Sequence, residues 1–179
     1  VGTHEDARTM LPAALRDPDP VILFEYTAML NLEGEIPEDI QPGDITHAKV
    51  RREGKDISII TYGAGVYKAL EAAAELAQSG IDAEVVDLRV LRPLDEKTIL
   101  DSVSKTHRAL IVEEAWQSVS ISSEVSARIT ENCFYELDTP VKRLCGIEVP
   151  IPYPKHLEDA SLPQKEQIIS ETKKLLQHG

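Results

Sequence analysis

Apolar residues in this chain recur with two different periods. Short runs at Ile57–Thr61, Ala83–Leu88, Ala109–Val112 and Val141–Cys145 read as strands buried on both faces. Between them the spacing is helical. Val66, Ala69, Leu70, Ala73, Ala74 and Ala77 make one stripe over 66–78, and so many alanines predict a close approach of helix to sheet. Ile99, Leu100 and Val103 follow a capping Asp95, and Ile121, Val125 and Ile129 make a third stripe. Ser161-x-x-Gln164, with Pro163 in the first turn, predicts a capping box for a last helix facing inward through Ile168, Thr172, Leu175 and Leu176. His47–Arg52 adds one more strand. The short Glu53-Gly54-Lys55 link predicts that it pairs antiparallel with Ile57–Thr61. Strand and helix alternating in this way predict an α/β fold of three layers, with a mostly parallel five-stranded sheet and one antiparallel edge.

The first residues do not fit that unit. Thr3-x-x-Asp6 predicts a capped helix ending near Arg16, kinked or split at Pro12, and Val21–Phe24 predicts a strand. One helix and one strand cannot bury both of their faces alone. Residues 1–27 therefore read as the tail of another domain, 28–45 as a Gly- and Pro-containing linker, and 46–179 as the α/β domain. After Cys145 the glycine and Pro150-Ile-Pro152-Tyr153 stop the strand and splay the chain over the surface.

Composition narrows the partners. The formal charge is -12, which opposes nucleic acid and anionic membrane and tolerates a basic protein. No apolar run reaches the ~20 residues of a membrane span, and no signal segment opens the chain, so a soluble, non-secreted protein is expected. Cys133 and Cys145 lie in no metal-like spacing and read as reduced structural thiols.

Few residue groupings suggest chemistry. Gly63-Ala-Gly65 between strand and helix, with Asp87 ending the next strand, admits a nucleotide-binding turn. It equally admits a tight structural turn, because Lys68 stands where the third glycine would be. Glu113 and Glu114 close the third strand, and on an extended segment they point to opposite sides. Trp116 beside them reads as a packed wall or interface anchor. Histidines 4, 47, 107, 156 and 178 have no partner at zinc-ligand spacing, and the serines at 118–123 form no nucleophile elbow. Ala14-Leu-Arg-Asp17-Pro-Asp19 puts unpaired helix carbonyls beside two carboxylates. That is either an all-oxygen site for a hard cation or a bare terminating turn.

Several segments carry a family resemblance in order and spacing. They are Ala14-Leu-Arg-Asp-Pro-Asp-Pro-Val21, Ala48-Lys-Val-Arg-Arg-Glu-Gly54, Asp87-Leu-Arg-Val-Leu-Arg-Pro-Leu-Asp95, and Val149-Pro-Ile-Pro-Tyr153 followed by Leu157-Glu-Asp159. Together they resemble the beta subunit of the thiamine-diphosphate-dependent component of 2-oxo acid dehydrogenase complexes, of the pyruvate dehydrogenase type. The resemblance implies that residues from about 46 form a transketolase-like carboxyl-terminal domain. Residues 1–27 would then be the tail of a truncated thiamine pyrimidine-binding domain. It also implies an oxidoreductase that decarboxylates a 2-oxo acid, pyruvate first among the candidates, and acylates lipoyl groups. Thiamine diphosphate and magnesium would lie between alpha and beta subunits of a heterotetramer, located in the cytoplasm, or in the mitochondrial matrix or plastid of a eukaryote.

The activating glutamate and the substrate-side histidine of the family lie upstream of the matched region, so this chain alone is expected to be inactive. The resemblance further implies a potassium site built by Ala14, Leu15, Asp17 and Asp19, and docking of the acyltransferase subunit-binding domain at Asp138. Relatives often carry glycines after the third strand, whereas this chain has Glu114-Ala115 and serines. A free-standing acidic α/β interaction module and a nucleotide-binding domain are the competing expectations.

Overall fold

Five strands form one sheet in the order β1-β3-β2-β4-β5. They are β1 (Lys49–Arg52), β2 (Ile57–Thr61), β3 (Ala83–Asp87), β4 (Ala109–Trp116) and β5 (Lys142–Gly146). This computed structural model describes residues 1–36 and 43–177. Among the described residues six α-helices accompany the strands: α1 (His4–Ala14), α2 (Gly65–Gln78), α3 (Glu96–Thr106), α4 (Ile121–Cys133), α5 (Lys155–Ser161) and α6 (Lys165–Gln177).

Alternation along the strands builds two cores. Ile57, Ile59, Val85, Leu110 and Val112 face α2 and α6. Ile60, Val86 and Ile111 face α3 and α4 through Ile99, Val103, Val125 and Ile129. The predicted three layers and mostly parallel sheet are present, with β1 as the antiparallel edge.

The predicted pairing of that edge is wrong. β1 pairs with β3, Lys49 opposite Asp87, rather than with β2. Lys55 and Asp56 donate their amides to the carbonyl of Asp82 at 2.9 and 3.0 Å, so the link crosses the start of β3 before entering β2. The crossing needs Gly54, because a Cβ there would overlap the backbone of Ala83 and Glu84.

Other expectations shift for local reasons. On α2 the buried positions are Val66, Ala69, Ala72, Ala73 and Leu76, while Ala74 and Ala77 are exposed. Alanine marks both faces of a helix too weakly for its stripe to be read alone. Ser161 ends α5, its hydroxyl donating to the Glu158 carbonyl at 2.7 Å. The cap of α6 lies three residues later, where Gln167 Oε1 accepts from the Gln164 amide at 2.9 Å. Pro12 sits within α1, and the helix continues as one element to Ala14. So near the end, the proline removes only the bond that would reach the Arg8 carbonyl. Val21–Phe24 forms no strand, and Ile22 and Phe24 are 79% and 70% exposed.

Helix α1 is held to the sheet by charge. Thr3 caps it, accepting from the Asp6 amide at 3.2 Å. Asp6 is fully buried and pairs with Arg51 of β1 and, at 2.9 Å, with Arg89 Nε. Arg51 also reaches Asp87 Oδ2 at 2.9 Å and Glu5 at 3.0 Å, and Lys49 adds a second contact to Glu5 at 2.8 Å. Burial pushes the Asp87 carboxyl up, with Arg51 opposing. Burial works against the Arg51 charge, but Asp87 and Asp6 together hold it above its usual range. Removing one member of such a buried set strands its partners. Asp6→Ala is therefore expected to cost about 3–5 kcal/mol in urea denaturation, and a loss below ~1 kcal/mol would show that the set does not hold α1.

Candidate functional site

The strand order reverses direction around β2: the chain passes from β2 to β3 on one side, then returns to β4 on the other. Open α/β sheets bind ligands at the carboxyl end of such a switch. Here that crevice lies between Tyr62, just after β2, and Glu113 near the end of β4, and both groups are engaged. Tyr62 donates its hydroxyl to Glu113 Oε1 at 2.6 Å. The other carboxylate oxygen accepts from the Ser122 amide at the start of α4, at 2.9 Å. Glu113 is 3% exposed, so this carboxylate serves as an internal helix cap. Burial and the hydrogen bond to Glu113 push the Tyr62 phenol far above its ordinary range.

The Gly63 turn is closed as well. Gly63 has φ +59, and a Cβ there would fall inside the ring of Tyr26. Tyr26 is pushed up to about 12 by burial, with Glu114 and Glu113 adding to the shift. Asp87, the candidate ribose partner, is committed to Arg51. An aromatic ring over the turn and carboxylates around it leave no place for a phosphate, and the nucleotide-binding expectation falls. Glu114 points to the opposite side from Glu113, as expected, and pairs with Lys68 at 3.2 Å.

The sequence-predicted site residues do not converge. Half-buried Ala14, the last residue of α1, and exposed Leu15, Asp17 and Asp19 share one turn at the end of that helix. There the Ala14 carbonyl accepts from the Asp17 amide at 3.3 Å, and Asp17 Oδ1 accepts from the Asp19 amide at 2.9 Å. Asp138 lies before β5, at the amino-terminal edge of the sheet. It is 44% exposed and pairs with Arg108 through Oδ2 at 2.7 Å. Thr139 Oγ1 and Arg108 Nε are buried beside it without a hydrogen-bond partner.

Three of the histidines serve local bonds, His4 to Leu32, His47 to Asp44 and His107 to Glu136, and His178 lies outside the described residues. Among the described residues no three His, Cys, Asp or Glu side chains are grouped to hold a metal ion. Cys133 and Cys145 are free, and burial raises the Cys145 thiol.

Sequence reasoning missed the Tyr26–Tyr62–Glu113 plug and the Asp6–Arg51–Asp87–Arg89 set. The second left a usable trace, charges at alternating positions of an otherwise half-buried edge strand. The plug left none, because Tyr26 is brought there by a segment with no regular structure.

Comparison with known proteins gives the family. Residues 46–168 match transketolase, C-terminal domain. The chain is 41% identical over 177 residues to the acetoin:2,6-dichlorophenolindophenol oxidoreductase subunit beta of Cupriavidus necator, covering 99% of this chain and 52% of that protein. It is 44% identical over 177 residues to the mitochondrial pyruvate dehydrogenase E1 component subunit beta of Ascaris suum, covering 96% and 49%. Among solved structures, a split gene transketolase described as an inactive beta4 tetramer superimposes with a TM-score of 0.70 at 27% identity, over 81% of this chain and 47% of that one. The chain thus spans about half the length of the curated relatives it matches. With the five-stranded sheet and its single antiparallel edge, these matches establish that the chain belongs to the transketolase carboxyl-terminal domain family.

Proposed function

We propose that this chain is the assembly and docking part of the beta subunit of a thiamine-diphosphate-dependent 2-oxo acid dehydrogenase. The intact enzyme is an oxidoreductase that decarboxylates its substrate and passes the acyl group to a lipoyl arm. What supports the reading above all is identity of 44% along nearly the whole chain to a pyruvate dehydrogenase E1 beta subunit and of 41% to an acetoin oxidoreductase beta subunit. Pyruvate is the first candidate substrate. Branched-chain oxo acids are alternatives of the same class, and acetoin, which has no carboxyl group to lose and would be cleaved instead, is a further one suggested by the acetoin oxidoreductase relative.

Residues 1–27 would belong to the preceding thiamine-binding domain, joined by 28–45 to the domain beginning at 46. The partners in this reading are an alpha subunit, a second copy of the beta subunit and the acyltransferase subunit-binding domain. The reading places the protein in the cytoplasm, or in the matrix or plastid of a eukaryote. Among the described residues no helix is long and apolar enough to cross a membrane.

The residues present do not fit a site for thiamine diphosphate or its magnesium. The switch crevice is plugged by Tyr26, Tyr62 and Glu113, and among the described residues no three His, Cys, Asp or Glu side chains are grouped to hold a metal ion. No step of the reaction is therefore assigned to these side chains. The purified chain, given pyruvate, thiamine diphosphate and magnesium, is expected to release no carbon dioxide, and sustained turnover would overturn the scaffold reading.

The turn after α1 does fit a hard cation by its donors, which are all oxygen. Carbonyls of Ala14 and Leu15 with Asp17 and Asp19 would hold potassium and offset the negative end of the helix. Potassium in place of sodium is expected to raise the melting temperature, and Asp17→Ala with Asp19→Ala to remove that shift; equal melting in both salts argues against the site.

Docking would use Asp138, whose Oδ1 is left to a basic partner while Oδ2 holds Arg108. Asp138→Lys is expected to weaken binding to a recombinant acyltransferase subunit-binding domain about tenfold or more by calorimetry. Unchanged affinity would remove the assignment.

A further inference from the structure

Most of the large apolar side chains exposed on this protein are aliphatic, but one short stretch joins aromatic rings to acids. Phe134 and Tyr135 follow α4 on a single 3-10 turn, Phe134–Glu136, and are 61% and 98% exposed. Their ring centroids lie 5.3 Å apart in an edge-to-face arrangement. Glu131, Glu136 and Asp138, within the same eight residues, are exposed as well.

The backbone of this turn is held from both sides. Cys133 before it and Leu137 after it are packed into the core beneath α3 and α4. His107 Nδ1 donates to the Glu136 carbonyl at 2.9 Å, and the Asp138 amide donates to the His107 carbonyl at 2.9 Å. The rings are therefore displayed in advance of any contact, at low cost in ordering on binding.

The acids are not balanced from within. Asp138 holds Arg108 through one oxygen, while among the described residues Glu131 and Glu136 have no ion-pair partner. Nearby cations are already engaged, Arg128 with Glu96 and Glu124, and Lys142 with Glu171. Polar satisfaction is incomplete inside this edge too, at Thr139 Oγ1 and Arg108 Nε.

We propose that the turn is an arginine-selective docking surface, on which a basic partner lays a guanidinium against the face of Tyr135 while its charge meets Glu131 and Glu136. The inference rests on the docking reading of Asp138 and adds to it an anchor and the chemistry of the partner's cation. Charge and shape select that occupant. A second copy would set carboxylates against carboxylates, and nucleic acid would meet the same repulsion. A plain apolar partner would cover the rings only by stripping water from the acids beside them. A guanidinium answers both, since it is charged at its rim, weakly hydrated on its flat faces and attracted by the ring quadrupole. Lysine, a strongly hydrated point charge, answers only the acids.

Calorimetry of the chain with hexa-arginine and hexalysine peptides tests the selectivity. Hexa-arginine is expected to bind about threefold or more tighter than hexalysine, a preference lost in Tyr135→Leu and kept in Tyr135→Phe. Tyr135 is almost wholly in water, so these variants should melt with the unaltered chain. Equal affinity for the two peptides, or a preference that survives Tyr135→Leu, overturns the proposal. With a recombinant acyltransferase subunit-binding domain, Tyr135→Leu should weaken binding about threefold or more and leave its salt dependence unchanged, whereas Asp138→Lys should reduce both. Weakening by Asp138→Lys alone would defeat this inference and leave the docking reading standing. Arginine preference at Tyr135 without any binding of the subunit-binding domain would do the reverse.

Discussion

The buried set Asp6–Arg51–Asp87–Arg89 is the interaction on which the arrangement of this chain turns. Asp87 ends β3 and is buried, so it requires a cation, and Arg51 on the neighbouring antiparallel strand supplies it. That guanidinium in turn leaves donors pointing past the sheet edge, and the carboxylate at the first turn of α1 satisfies them. Because every member is buried or nearly so, none can change partners with water at low cost. The edge strand β1, the end of β3 and helix α1 are thereby fixed to one another, although α1 contributes little apolar surface of its own. Of its residues only Met10 joins the buried apolar set.

This dependence explains which parts could be read from sequence. β2, β3 and the start of β4 are mainly apolar runs of β-branched residues, buried on both faces, and they are legible without any knowledge of neighbours. Asp95 was legible as a cap because capping is local, and its carboxylate accepts from the Thr98 amide at 3.1 Å. Pairing was not. A three-residue link suggests a hairpin, yet the crossing beneath β3 depends on Gly54 meeting Ala83, a contact nearly 30 residues distant in sequence. The α2 stripe failed for a different reason, since a helix rich in alanine carries almost no directional signal. The cap of α6 moved because Ser161 was already used by α5, a seven-residue helix too short to announce itself.

The candidate sites divide along the same line. The Gly63 turn looked chemical only while its surroundings were unknown. Tyr26, from a segment without regular structure, determines its meaning by covering it. Asp138 is visible as an isolated acid in the sequence, but its pairing with Arg108 is a tertiary fact. Family resemblance supplied what pattern could not, because it carries the result of tertiary contacts without deriving them.

A catalytic centre normally leaves polar groups poised and incompletely satisfied, since they must exchange partners with a substrate. At the switch point of this sheet the reverse holds: Glu113 is bonded on both oxygens and caps a helix, and Tyr62 is locked as its donor. The buried polar atoms left without a partner lie elsewhere, among them Thr139 Oγ1 and Arg108 Nε beside Asp138, and the exposed apolar side chains include Val119 at φ +51.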